Sequence, residues 1–287
     1  MLWGVVTGIV FGASALWVLL TQPTFSKSSS KSPGMVATTT DPQRLRMHVE
    51  VLSTTFVPRD WRHIDNLDRT ATYISQALAA AGTEVSEQPY PMQANNENHG
   101  KTYRNVVGKL GPDTQDRIVV GAHYDAFGEY PGADDNASGV AALIEVARLL
   151  AKETLPLGVD LIAYSVEEPF TKDARGNFRT PDGGSAIHAA SLKRAGARVR
   201  LMFSLETLGY FDDAPGSQDF PVSFLRYFYP SRGNYVLIVS NFGSALMARQ
   251  VKKAMQAASR LPVYSISAPA SVEGIDYSDR KSTRLNS

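Results

Sequence analysis

Cysteine is absent from the 287 residues. That excludes disulfides, thiolate metal sites and a cysteine nucleophile, so any bound metal must be held by histidine and carboxylate groups. Histidine is scarce as well: there are five, and none follows His188. Net charge is nearly missing. Twenty-nine Lys and Arg stand against 28 Asp and Glu, a formal charge of +1, which gives no electrostatic footing for nucleic acid as a partner. Charge is also missing from one continuous run, Leu2 to Leu20.

A helix of that length, rising about 1.5 Å per residue, roughly spans a bilayer core. No Lys or Arg precedes the run, so a secretory n-region is poor. Residues 1–20 are therefore expected to be a transmembrane anchor or signal segment, with the membrane as a partner. Ten of the twenty residues from Thr21 to Thr40 are Ser or Thr. Such a stretch buries no core and reads as a flexible linker over 21–40. The folded domain is expected from Asp41 to Asp279.

Periodicity along that domain predicts helices over 41–54, 66–81, 138–150, 184–195 and 245–258. Strands are predicted over 83–88, 104–109, 117–122, 158–166, 198–205 and 235–240. In the third helix Val140, Leu143, Ile144 and Ala147 follow the i, i+3, i+4, i+7 spacing of an amphipathic face. Strands alternating with helices imply an α/β domain, a mixed and mostly parallel central sheet with helices on both faces. Polar sites in such sheets gather beyond strand C-termini. That rule selects three places, just after residues 122, 166 and 205.

Each of the three carries ligating chemistry. His123-Tyr124-Asp125 follows the first. An imidazole binds metal through one nitrogen while a carboxylate two residues on receives the other N–H and fixes the tautomer. Pro131-Gly132-Ala133-Asp134-Asp135-Asn136-Ala137-Ser138-Gly139 leads from there into the helix, and its small residues let the backbone aim a carboxylate inward. Glu167-Glu168-Pro169 follows the second strand, Glu206-Thr207-Leu208-Gly209 the third. Taken singly, these are a solvated histidine, a helix cap and polar loops. Together they place one His and several acids at consecutive strand ends of one sheet. That donor set suits zinc, ahead of manganese and cobalt.

GAHYD, PGADDNASG, the Glu-Glu pair, GSAIHA and LETLGY resemble, in their order, the zinc exopeptidases that include secreted leucyl aminopeptidases and glutamate carboxypeptidase. The resemblance runs from about Asp41 to Asp279. It implies two zinc ions, with His123 on the first, Asp135 bridging both and Glu168 on the second. Glu206 stands where most members have an Asp ligand. Glu167 resembles the general base, Asp125 the partner of His123, and Asp134 a neighbour beside an unusual cis peptide. The implied reaction is release of N-terminal residues from peptide substrates, with Glu167 taking a proton from the attacking water and returning it to the leaving amine. Many members are exported, so the domain is expected outside the cytoplasm.

One departure stands out. The family resemblance implies a last His after Ser278-Asp279, where this chain has Arg280. The run Asp279 to Ser287 resembles a translated sequencing adapter, so 280–287 is expected to be a non-native tail, with the last strand and helix of the fold missing. Two other functions remain open: a glutaminyl-peptide cyclase, a relative that uses one metal, and a catalytically inactive ectodomain. His188, inside a predicted helix, is expected to be a packed or surface residue.

Overall fold

The computed structural model describes residues 2–21, 40–171, 180–220 and 223–268. The chain divides into two compact units, Thr38–Gly209, and Met1–Ala37 together with Tyr210–Ser287.

In the larger unit, helix α2 (Pro42–Thr54) begins where Asp41 accepts a hydrogen bond from the Gln43 N–H. Pro42 fills a first-turn position whose N–H has no helical partner to lose. Helix α3 (Ile64–Ala80) buries Leu67, Ala71, Ile74 and Leu78, a single stripe at helical spacing. Five strands follow: β1 (Glu84–Pro91), β2 (Thr102–Leu110), β3 (Asp116–His123), β4 (Gly158–Tyr164) and β5 (Arg198–Ser204). Helices α4 (Gly139–Leu150) and α5 (Gly184–Arg194) lie between the last three. The strand order is β1-β2-β4-β3-β5. The pairs β1–β2 and β2–β4 are antiparallel, while β3–β4 and β3–β5 are parallel. The expected mixed sheet is present, its parallel part centred on β3.

Both faces of the sheet are covered. Val106, Val120, Ala122, Leu161 and Ala163 belong to one core with Ile74 and Leu78 of α3 and Val140, Leu143 and Ala147 of α4. Val107, Val119, Ile162 and Tyr164 form a second cluster with Leu192 of α5. Neighbouring residues alternate between the clusters, as the two-residue period of a strand requires. Each large apolar side chain so buried contributes about 1.5–3 kcal/mol. Because β3, β4 and β5 run parallel, their C-termini emerge at the same edge of the sheet.

The other unit holds α1 (Leu2–Thr21), the parallel pair β6 (Val236–Asn241) and β7 (Val263–Ala268), and α6 (Ala245–Ala258) between them. Strand β7 was not anticipated from sequence. Its Ser265 and Ser267 are as buried as Val263, so a count of apolar residues underrates it.

The membrane expectation needs correction. A spanning helix requires about 20 predominantly apolar residues. Among the described residues no helix is long and apolar enough to cross a membrane. An anchor at 1–20, the membrane as partner and a membrane-anchored localisation are therefore not supported. Residues 22–39 of the expected 21–40 linker and everything after 268, including Arg280 and the 280–287 tail, lie outside the described residues.

Candidate metal centre

The last residue of β3, His123, is 1% exposed. Its Nδ1 lies 3.2 Å from the Asp125 carbonyl oxygen and 3.3 Å from Asp125 Oδ1. With the ring proton donated there, Nε2 is left facing two carboxylates: Asp135 Oδ1 at 2.9 Å and Glu206 Oε2 at 3.4 Å. One ligand atom from each of His123, Asp135 and Glu206 lies within 4.8 Å of the others. Nitrogen and oxygen donors converging at a buried point fit a borderline divalent ion such as zinc. The electrostatics agree with a cation site. Burial works against a charged His123, yet Glu206, Asp125 and Asp135 outweigh it and hold the imidazole pKa well above its ordinary value. Burial, with Asp135 nearby, raises the Glu206 carboxyl. Like charges brought together in this way are relieved by a positive ion.

Each of these candidate ligands is held from behind. The turn Ala133–Ser138 leaves helical geometry at Asp135 (φ −111°, ψ 95°) and Asn136 (φ −132°, ψ 39°), and the Asp135–Asn136 peptide bond is cis. Asn136 Nδ2 donates to the Leu205 carbonyl at 2.7 Å and to Glu206 Oε2 at 2.8 Å. Ser204 Oγ donates to the other oxygen, Oε1, at 2.8 Å. The longer Glu206 side chain thus reaches His123 with both oxygens fixed. Asp134 points elsewhere: its Oδ1 accepts the Gly209 N–H at 2.7 Å, which pins the loop after β5.

The Glu167–Glu168 pair is organised through the backbone. Val166, fully buried, takes φ 59°, a left-handed conformation that costs a β-branched residue dearly. The N–H groups of Glu167 and Glu168 then both donate to the Asp125 carboxylate, at 3.0 and 2.9 Å to Oδ2. Asp125 therefore joins His123 to the acid pair. Glu167 is 8% exposed. Burial, then the charges of Glu206, Asp125 and Asp135, push its carboxyl up to about 8 against the opposing pull of His123. A carboxyl raised toward neutrality is suited to exchanging protons.

The structure thus gathers His123, Asp125, Asp135, Glu167 and Glu206. Glu168 is buried beside them and anchored through its N–H, but it is outside the convergent His123–Asp135–Glu206 group. His188 packs on Tyr164, in the second cluster of the sheet, with ring centroids 5.9 Å apart. Sequence reasoning missed Asn136, Ser204 and Arg59. The first two are polar residues within two positions of predicted ligands, a signal that was available; Arg59 lies 64 residues before His123 and offered none.

Residues 105–259 match the family model "Peptidase family M28". The chain is 42% identical to the Escherichia coli (strain K12) protein YfbL over 246 residues, 83% of this chain and 72% of that protein. It is 26% identical over 155 residues to leucine aminopeptidase 1 of Arthroderma otae, which is 50% of this chain and 39% of that enzyme. It therefore spans well under half of that fungal relative. Among solved structures, a leucine aminopeptidase precursor from Bacteroides thetaiotaomicron superposes with a TM-score of 0.53 at 19% identity, over 81% of this chain and 87% of that one. A glutaminyl cyclase from Porphyromonas gingivalis superposes with a TM-score of 0.55 at 18% identity, over 82% and 77%. These two likenesses concern the fold.

Proposed function

Since the chain belongs to peptidase family M28, we propose that it is a zinc-dependent aminopeptidase that removes N-terminal residues from peptides. The convergence of His123 Nε2, Asp135 Oδ1 and Glu206 Oε2 carries this reading, with Glu167 buried alongside. A divalent ion held by these residues supplies Lewis-acid polarisation of a scissile carbonyl and acidification of water. In the same reading Glu168 would help to hold a second ion. His123 is kept in the ligating tautomer by Asp125. Glu167 accepts the proton of the attacking water and delivers it to the departing amine. Asp125 holds the N–H groups of Glu167 and Glu168, which fixes the backbone that carries both side chains.

The test is an aminoacyl-anilide panel on zinc-loaded protein, with Glu167→Gln beside the wild type. Hydrolysis by the wild type, a loss of about 10²–10⁴-fold in kcat for the variant and unchanged zinc content support the proposal. Equal kcat in both proteins sinks the role of Glu167.

A second reading has its own observation. The described ligand atoms converge on one ion, which suits a glutaminyl-peptide cyclase using a single metal. Turnover of an N-terminal Gln peptide to a cyclised product, without hydrolysis of the anilides, would select it.

A further inference from the structure

Behind the candidate centre, on the segment between α2 and α3, sits a guanidinium with no solvent exposure. Arg59 is 0% exposed. Its Nε donates to the Tyr124 carbonyl at 2.9 Å, Nη1 to the Leu52 carbonyl at 3.0 Å and to that of Pro131, and Nη2 to the Gly132 carbonyl at 2.7 Å. The Ala126 N–H closes back on the Arg59 carbonyl at 3.1 Å. Tyr124 lies between His123 and Asp125. Gly132 caps the turn that carries Asp135. One planar group therefore ties together the two segments from which the imidazole and the shared carboxylate project.

The arrangement is tight. A Cβ on Gly132 would stand 2.5 Å from the Asp135 carbonyl oxygen and 2.7 Å from Arg59 Nη2. Glycine is required there both for that approach and for its φ of 58°. The choice of a charge is informative. A buried cation costs more than a well-packed apolar side chain unless its surroundings compensate. Here burial lowers the guanidinium pKa to about 10, with Asp125, Asp135 and Glu168 acting the other way. It stays charged at neutral pH, within electrostatic reach of the acids of the centre. A core filler needs none of these properties.

We infer that Arg59 is a positioning residue for the metal centre, its fork setting the distance between the His123–Asp125 segment and the Gly132–Asp135 segment. The inference rests on the metal reading above. Lysine would keep the charge but not the geometry, since one ammonium cannot reproduce a planar fork across four carbonyls.

The experiment uses the full chain, stripped of metal, titrated with Zn²⁺ against a chromophoric chelator. The Co²⁺ visible spectrum serves as a second report on ligand geometry. Arg59→Lys and Arg59→Ala should bind zinc about 10–100-fold more weakly than the wild type, the range for groups that orient ligands. Both should also alter the cobalt spectrum. Guanidinium ion should restore Arg59→Ala, and methylammonium should not. Wild-type zinc affinity in a folded Arg59→Lys protein would overturn the inference, because charge alone would then suffice. So would an Arg59→Ala protein that neither zinc nor guanidinium returns to its fold, since Arg59 would then serve the whole unit and not the site. If the wild type itself binds no zinc, the metal reading fails first, and that result is distinct from equal binding by wild type and variants.

Discussion

Glu206 reaches the imidazole of His123 from the neighbouring strand end: its Oε2 stands 3.4 Å from Nε2. Asn136 and Ser204 each hold one oxygen of the same carboxylate. A glutamate with both oxygens fixed is pre-organised as a ligand, and its extra methylene is used to span the gap. Glu206→Gln keeps the size and removes the charge, so it should weaken zinc binding by at least about tenfold. Glu206→Asp withdraws the carboxylate from Asn136 and Ser204 and should fall between the two. Chelator-competition titration reads both. A Gln variant with wild-type affinity would remove Glu206 from the ligand set.

Asp125 connects the two halves of the centre. Its carboxylate lies 3.3 Å from His123 Nδ1 and receives the N–H groups of Glu167 and Glu168. An Asn there presents an NH₂ to one set of donors, whichever way the amide turns. Asp125→Asn should therefore lower kcat by about 10–100-fold with a smaller change in KM, since no substrate contact is lost. Steady-state kinetics on an anilide substrate separate the two. A change confined to KM would place Asp125 in substrate binding.

Much of this was legible in the sequence because it depends on spacing along one element. The pattern at Val140, Leu143, Ile144 and Ala147 placed α4, and all four are buried. The apolar runs placed β3 and β4, and parallel strands carry their following residues to a common edge. Contacts between distant segments were not legible. Arg59 meets Tyr124, Pro131 and Gly132 across 65 to 73 residues, and no local period encodes that. Strand β4 stops at Tyr164, two residues short of the predicted end, because Val166 turns into left-handed space at φ 59°. A β-branched residue gives no warning of such a turn.

Among the described residues, Thr207 is the other non-glycine residue with positive φ, at 47°, and it directly follows Glu206. Such a conformation costs on the order of 1–3 kcal/mol, against about 0.5–1 kcal/mol for the chain entropy of a glycine. Thr207→Gly should therefore raise stability by about 1 kcal/mol in denaturant melts. It should also loosen Glu206 and weaken zinc binding. A variant that loses stability would show that Thr207 is not strained.

His188 supplies a pH prediction away from the centre. It is 5% exposed on α5, its Nδ1 lying 3.3 Å from the Tyr164 hydroxyl. Burial lowers its pKa to about 4, only partly opposed by Asp160. In the unfolded chain an imidazole titrates near 6.5. The folded value is the lower one, so protons bind preferentially to the unfolded state. The stabilisation is complete above about pH 6.5 and is lost progressively as pH falls through about 4. Other groups titrate in the same range, so the informative quantity is the difference between wild type and His188→Gln, which cannot gain that proton. Urea midpoints measured at several pH values should show the wild type losing more stability than the variant between about pH 6.5 and 4. Two parallel curves across that window would mean that His188 is already accessible to protons in the folded state.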